Sequence, residues 1–90
     1  MTDLEIRVEE TPNPNAKRYV LNRPVQEASK GRFFTRGDDG DEPLVGKLLA
    51  LQGVIGVMLL PNSVTLNKDA GVTWDVLGPL AEEALNGYFI

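Results

Sequence analysis

Ninety residues are enough for one small domain, and an apolar content of 42% excludes wholesale disorder. The chain contains neither cysteine nor histidine, which excludes disulfides, zinc sites with sulfur or nitrogen ligands, cysteine nucleophiles and histidine acid-base catalysis. Its net charge of −4, its acidic first ten residues and the lack of a long apolar run predict a cytoplasmic protein that binds neither nucleic acid nor membranes.

The first part of the chain is predicted to form an antiparallel hairpin. Residues 4–10 alternate apolar and charged side chains, which is typical of a half-buried strand. Residues 16–21 alternate again, with Lys17 on one face and Arg18 on the other. Between them, the sequence TPNPN at 11–15 predicts a structured turn, because its two prolines lack N–H donors and its asparagines bind the local backbone.

Residues 22–40 carry the weakest pattern, with one proline, three glycines and few apolar side chains. Phe33 and Phe34 are candidates for a short edge strand there. The next segment is clearer, because Pro43 suits the first turn of a helix. Gly53 suits the position just after the end of a helix, where the backbone adopts the left-handed conformation. The helix is therefore predicted from Pro43 to about Gln52, with one apolar face formed by Leu44, Val45, Leu48, Leu49 and Leu51.

A hairpin and a second helix follow. Residues 54–60 are short, apolar and β-branched, Pro61-Asn62 predicts a tight turn, and residues 63–67 alternate as a second strand. Thr73 is a predicted N-cap, and apolar residues recur at helical spacing from Leu77 to Tyr88. Because Pro79 interrupts this pattern, the turn that carries Trp74 is expected to be kinked or separate.

Together these elements predict an α+β fold in a single domain, residues 1–90. The expected architecture is a two-layer sandwich, in which a small antiparallel sheet of about four strands has two helices packed on one face.

Charge is unevenly placed along the chain. Residues 17–36 hold six basic residues against one acid, a balance of +5. Four acids then follow within five residues: Asp38, Asp39, Asp41 and Glu42. These runs are either solvated faces or a dipolar docking surface.

The four acids are also candidate metal ligands. They do not match the twelve-residue calcium loop, because placing Gly40 at its sixth position puts Thr35 and Gly37 where acids belong. A looser carboxylate site and a solvated loop before a helix N-terminus both stay open.

An ordered set of residues along the chain resembles the N-terminal domain of the NifU/Nfu iron–sulfur scaffold proteins. The set comprises TPNPN at 11–15, Lys17, Arg18, Pro24-Val25, Pro43-Leu44, Gly53-Val54, Val57, Thr65, Trp74 and Pro79. The resemblance implies a compact α+β domain associated with iron–sulfur cluster assembly or delivery. In that family a Cys-x-x-Cys pair in a separate C-terminal domain holds the cluster, so no cofactor is expected in this chain.

Two hypotheses follow. The favoured one is a monomeric, non-enzymatic accessory or protein-interaction module whose partners are iron–sulfur assembly or acceptor proteins. Its candidate docking residues are Asn13, Asn15, Lys17 and Arg18, although TPNPN has enough turn chemistry to serve only as the hairpin's turn. The second is a small acidic protein that binds iron or another cation at residues 38–42.

Overall fold

The computed structural model describes residues 4–25, 30–38 and 42–89. Its elements, in chain order, are β1 (Ile6–Glu10), β2 (Ala16–Leu21), β3 (Arg32–Thr35), α1 (Pro43–Leu49), β4 (Val54–Leu60), β5 (Ser63–Lys68) and α2 (Trp74–Phe89). The α+β prediction is confirmed. The sheet has five strands instead of about four, and the additional strand is β3, which contains Phe33 and Phe34.

All neighbouring strands are antiparallel, in the order β1-β2-β5-β4-β3. The hairpin of β1 and β2 is confirmed, with Glu10 opposite Lys17 and Ile6 opposite Leu21. The hairpin of β4 and β5 is confirmed as well, and Leu60 lies opposite Ser63 across the turn Pro61-Asn62. Strand β5 therefore lies in the middle of the sheet, paired on both sides.

The core lies between the helices and one face of the sheet. Tyr19, Val64 and Leu59 lie side by side on that face, and so do the residues two positions away from each of them along its strand. Helix α1 contacts β4 and α2. The largest fully buried side chains are Tyr19, Leu48, Leu59, Leu66, Leu77, Leu85, Val45, Val54, Val57 and Val64. None of the helices in the described ranges is both long and apolar enough to span a membrane.

Helix α1 starts at Pro43 as predicted but ends at Leu49, three residues before Gln52. The N–H of Ala50 still reaches the Gly46 carbonyl at 3.1 Å, and the N–H of Leu51 then bonds to Leu48 at 3.1 Å in a tighter turn. Gly53 has φ +98°, the left-handed conformation expected of it. The chain turns within these few residues so that β4 can begin at Val54.

Helix α2 runs through Pro79 as one element, so the first turn with Trp74 is not separate from the helix, while the alternative of a kink at Pro79 stays a prediction. Its first turn is closed by the N–H of Leu77, which donates to the Thr73 carbonyl at 3.0 Å. Leu77 and Ala81, on either side of the proline, are fully buried. Packing at these two positions outweighs the one hydrogen bond that proline removes from the helix.

The burial of α1 gives a stability prediction. Leu48 is 0% exposed, so Leu48→Ala should lower the free energy of unfolding by about 2–5 kcal/mol through lost burial and the cavity left behind. Val76→Ala is the matched control, since Val76 is an aliphatic residue in a helix but is 62% exposed. Denaturant midpoints would measure both, and equal midpoints would show that this face of α1 is not in the core.

Candidate functional site

The turn at residues 11–15 is closed by its own side chains. The Thr11 hydroxyl lies 2.8 Å from the carbonyl oxygen of Asn13 and 3.0 Å from that of Ala16, and it accepts the Asn13 N–H at 3.1 Å. The Asn13 side-chain oxygen accepts the N–H of Asn15 at 2.9 Å. These bonds are the local side-chain to backbone chemistry that the sequence TPNPN predicts.

Two distant elements hold this turn in place. The N–H of Lys68, at the end of β5, donates to the Asn15 carbonyl at 2.8 Å. The ammonium group of Lys68 donates to the Asn15 side-chain oxygen at 3.0 Å. From the other side, Trp74 of α2 donates its indole N–H to the Pro14 carbonyl at 3.0 Å. The turn is therefore fixed by the sheet and by the second helix together.

Two cations lie against the same indole ring. The ammonium nitrogen of Lys17 is 5.3 Å from the centroid of the Trp74 ring, and that of Lys68 is 5.8 Å away. Both distances lie in the range of cation–π attraction. Lys68 is only 7% exposed, while Lys17 also pairs with Glu10 at 3.6 Å. We call residues 11–15 with Lys17, Lys68 and Trp74 the turn cluster.

The structure separates Arg18 from the other candidate docking residues. Asn13, Asn15 and Lys17 all belong to the turn cluster, whereas Arg18 follows Lys17 in the strand and so points to the opposite face of the sheet. There its guanidinium lies 3.8 Å from a carboxylate oxygen of Glu9. Lys17 and Arg18 therefore cannot both lie at the centre of one docking surface.

Sequence reasoning did not assign Lys68 or Trp74 to this surface. Trp74 lies 60 residues from the carbonyl that it binds, and Lys68 lies 53 residues from its side-chain partner. Neither separation leaves a local pattern. What the sequence offers is the identity of the two residues, a lysine at the end of a strand and a tryptophan at the start of a helix.

The candidate metal ligands fall partly outside the described residues, which exclude Asp39 and Asp41. Of the other two, Glu42 forms an ion pair with Arg32, in which a guanidinium nitrogen lies 2.9 Å from a carboxylate oxygen. Asp38 is exposed at the end of a short turn after β3. Within residues 4–25, 30–38 and 42–89, no three acids come close enough together to hold a metal ion. The cation site at residues 38–42 therefore stays a prediction.

Tyr19, on the inner face of β2, has a pKa above the ordinary value of a tyrosine. Burial, and to a smaller extent the negative charge of Glu82 on α2, together raise its pKa from 10.0 to about 12. The phenol therefore stays protonated and neutral at physiological pH. Its place in the apolar core makes it a packing residue and not a general base.

Five antiparallel strands with two helices on one face define a small two-layer α+β domain, in which the turn cluster joins the first hairpin to β5 and α2. The family model described as "Scaffold protein Nfu/NifU N terminal" matches residues 6–90. The chain belongs to this family, and the resemblance given by its sequence motifs is confirmed.

Curated relatives support the same assignment. The chain is 32% identical over 74 residues to NifU-like protein 5, mitochondrial, of Arabidopsis thaliana, a match that covers 82% of this chain and 27% of the relative. It is 31% identical over 75 residues to the human NFU1 iron-sulfur cluster scaffold homolog, mitochondrial, covering 82% and 30%. It is 30% identical over 81 residues to conserved virulence factor C of Staphylococcus haemolyticus, covering 90% and 22%. The chain thus spans less than a third of the length of each.

Solved structures share the fold. A NifU-like protein from Saccharomyces cerevisiae aligns with a TM-score of 0.81 at 24% identity, covering 93% of this chain and 76% of the yeast chain. A Staphylococcus aureus protein known from a crystal structure aligns with a TM-score of 0.80 at 21% identity, covering 93% of this chain and 99% of the other. Both likenesses concern the fold alone.

The turn cluster predicts different costs for its two asparagines. Asn13→Ala removes one bond at an exposed position, so it should lower the free energy of unfolding by about 0.5–1.5 kcal/mol. Asn15→Ala also leaves the buried Lys68 ammonium without its side-chain acceptor, and a loss of about 1–3 kcal/mol is expected. Urea unfolding of both variants would measure the difference.

Lys68→Met supplies the control for this comparison. In a double-mutant cycle, Asn15→Ala and Lys68→Met should cost less together than the sum of their separate effects, because each removes the same bond. Strict additivity, or equal losses for the two asparagine variants, would contradict the assigned role of Lys68.

Proposed function

We propose that this domain is a non-enzymatic accessory module that docks on iron–sulfur cluster assembly or acceptor proteins through the turn cluster. The observation that carries the proposal is the family match over residues 6–90 to a domain described as part of scaffold proteins. A cytoplasmic location belongs to the proposal too, although the relatives include proteins named as mitochondrial as well as bacterial ones.

Preorganisation supports the turn cluster as the docking surface. Pro12, Asn13 and Pro14 are exposed at its tip, while the bonds from Thr11, Lys68 and Trp74 fix the backbone behind them. A partner that binds an already ordered turn does not have to offset the entropy of ordering it. Two prolines restrict the turn further, since each fixes its own φ angle.

Electrostatics support a partner with acidic groups. The whole chain carries −4, yet Lys17 and Lys68 bring two positive charges close to the centre of the Trp74 ring, at 5.3 and 5.8 Å. Opposite charge on a partner would speed association and orient it at this patch. Lys17 is the group most available for such contact, because Lys68 is nearly buried.

In this proposal the partner holds the cluster. Iron–sulfur clusters are bound in proteins chiefly by cysteine thiolates and less often by histidine, and the sequence has neither residue. What the domain contributes is a shaped and charged surface. This division of roles agrees with the family pattern, in which the Cys-x-x-Cys pair belongs to a different domain.

Reconstitution tests this division of roles. After incubation with iron, sulfide and a thiol reductant, the isolated chain should retain no visible absorption on desalting, because it offers only oxygen ligands. An iron–sulfur carrier with a Cys-x-x-Cys pair, treated in parallel, is the positive control. Stoichiometric iron and sulfide that remain with this chain would contradict the proposal.

Charge reversal tests the docking surface. Lys17→Glu and Arg18→Glu make the same change at adjacent positions on opposite sheet faces. With purified iron–sulfur carrier proteins, in apo and loaded forms, Lys17→Glu should weaken binding about tenfold at low salt, and Arg18→Glu should change it little. Calorimetry would give the affinities, and thermal unfolding would verify that both variants fold.

The milder variant Lys17→Gln separates lost attraction from introduced repulsion with Glu10. It should weaken binding in the same direction but less. Equal affinity of the Lys17 and Arg18 variants at every salt concentration would leave residues 11–15 with a structural role only.

A further inference from the structure

A separate apolar groove lies beside helix α2, away from the turn cluster. Its volume is about 300 Å³, and it is lined by Gln52, Gly71, Val72, Thr73, Val76 and Leu80. The walls are thus the turn between α1 and β4, the turn between β5 and α2, and the first two turns of α2. Val76 follows Trp74 by two residues, which is about 200° around the helix axis. Trp74 and Val76, which lines the groove, therefore lie on nearly opposite sides of α2.

The two turns that form the floor of the groove are bonded to each other. The N–H of Asp69 donates to the Gly53 carbonyl at 2.8 Å, and the Asp69 carboxylate accepts the N–H of Gly71 at 2.9 Å. Val72 packs directly over Gly53, where an added Cβ would lie only 2.7 Å from a Val72 methyl. The groove is therefore already formed in the unbound domain.

The helix wall of the groove consists of apolar side chains that the core does not use. Val76 and Leu80 are 62% and 40% exposed, and their spacing of four residues places them one turn apart on the same side of α2. The adjoining side of α2, with Leu77, Ala81 and Leu85, already belongs to the core. The exposed pair does not contribute to the core.

Several acids lie near this groove, and the Lys47 ammonium lies against Gly87, one turn beyond Glu83 on the same side of α2. From residue 69 to residue 90 the sequence holds four acids and no base, namely Asp69, Asp75, Glu82 and Glu83. All four are exposed, and no ion pair joins any of them to another residue within the described ranges. Glu83 continues the side of α2 that carries Val76 and Leu80, while Asp75 is adjacent to Val76. The groove is thus apolar at its centre, and acids lie on the turn before α2 and on the neighbouring part of the helix.

We propose that this groove docks a short basic segment of a partner protein, with one apolar side chain inserted between Val72, Val76 and Leu80 and flanking lysines or arginines facing Asp69, Asp75 and Glu83. A volume of about 300 Å³ suits one anchor side chain, since it is at the lower limit for small-molecule sites. A second copy of this chain is a poorer occupant because each copy carries −4. This contact is additional to docking at the turn cluster.

Synthetic peptides provide the test. The probe is a twelve-residue peptide with a central leucine flanked by lysines, and the comparison peptide has glutamate in place of every lysine. Titrated into the ¹⁵N-labelled chain at low salt, the basic peptide should shift the amide signals of Gly71, Val72, Val76 and Leu80. The acidic peptide should shift none of them, and added salt should weaken the basic peptide.

Variants locate the contact. Leu80→Ala should weaken the basic peptide about tenfold, as truncation of a central anchor contact does. Asp75→Asn with Glu83→Gln should weaken it and reduce its salt dependence. Phe33→Ala is the matched control, because Phe33 is 58% exposed but lies on β3, and it should leave the affinity unchanged. Lys17→Glu should likewise leave it unchanged, which separates this test from that of the turn cluster.

Three results would overturn the proposal. The first is equal binding of the acidic and basic peptides, and the second is shifts confined to residues outside the groove. The third is concentration-dependent self-association, abolished by Leu80→Ala, which would make a second copy the occupant.

Discussion

The structure depends on the register of the central strand β5. Val64 and Leu66 are completely buried on its inner face, and the strand pairs with β2 on one side and β4 on the other. The turn Pro61-Asn62 fixes this register, and its carbonyls also accept the N–H groups of Val25 and Leu21. A slip by one residue would turn both apolar side chains to the other face of the sheet. It would also move Lys68 away from the turn at residues 11–15.

Helix α2 connects the core to two different surfaces. Its inner side supplies Leu77 and Ala81 to the core. Its first residue, Trp74, belongs to the turn cluster and binds the Pro14 carbonyl. Its outer side forms a wall of the apolar groove. The turn cluster carries two lysines, whereas acids lie near the groove. Under the two proposals, a single small domain contacts two partner segments of opposite charge at the same time, as expected of an accessory module that holds proteins together.

The sequence has no cysteine or histidine, which excludes thiolate and imidazole ligands. Of the acids at residues 38–42, Glu42 is paired with Arg32 at 2.9 Å, one residue before α1 begins. That ion pair links β3 to the start of the helix. The chain covers less than a third of the relatives NifU-like protein 5 and human NFU1, so the activity of either whole protein does not pass to this domain by similarity alone.

The sequence alone determined the local features, because each depends on near neighbours. Alternation predicted β1, β2 and β5, a short apolar run with β-branched residues predicted β4, proline placed the start of α1, and a glycine at residue 53 closed the turn after it. Only the tertiary structure decided that α2 continues through Pro79, since packing of Leu77 and Ala81 outweighs the local cost of proline.

The tertiary structure likewise decided which residues form the candidate sites. Arg18 and Lys17 are sequence neighbours that the strand sends to opposite faces, whereas Trp74 reaches a carbonyl 60 residues away. The groove arises where two turns, separated in sequence by all of β4 and β5, are joined by one hydrogen bond from Asp69 to Gly53. Contacts between segments so far apart follow from strand order and packing, which no local pattern encodes.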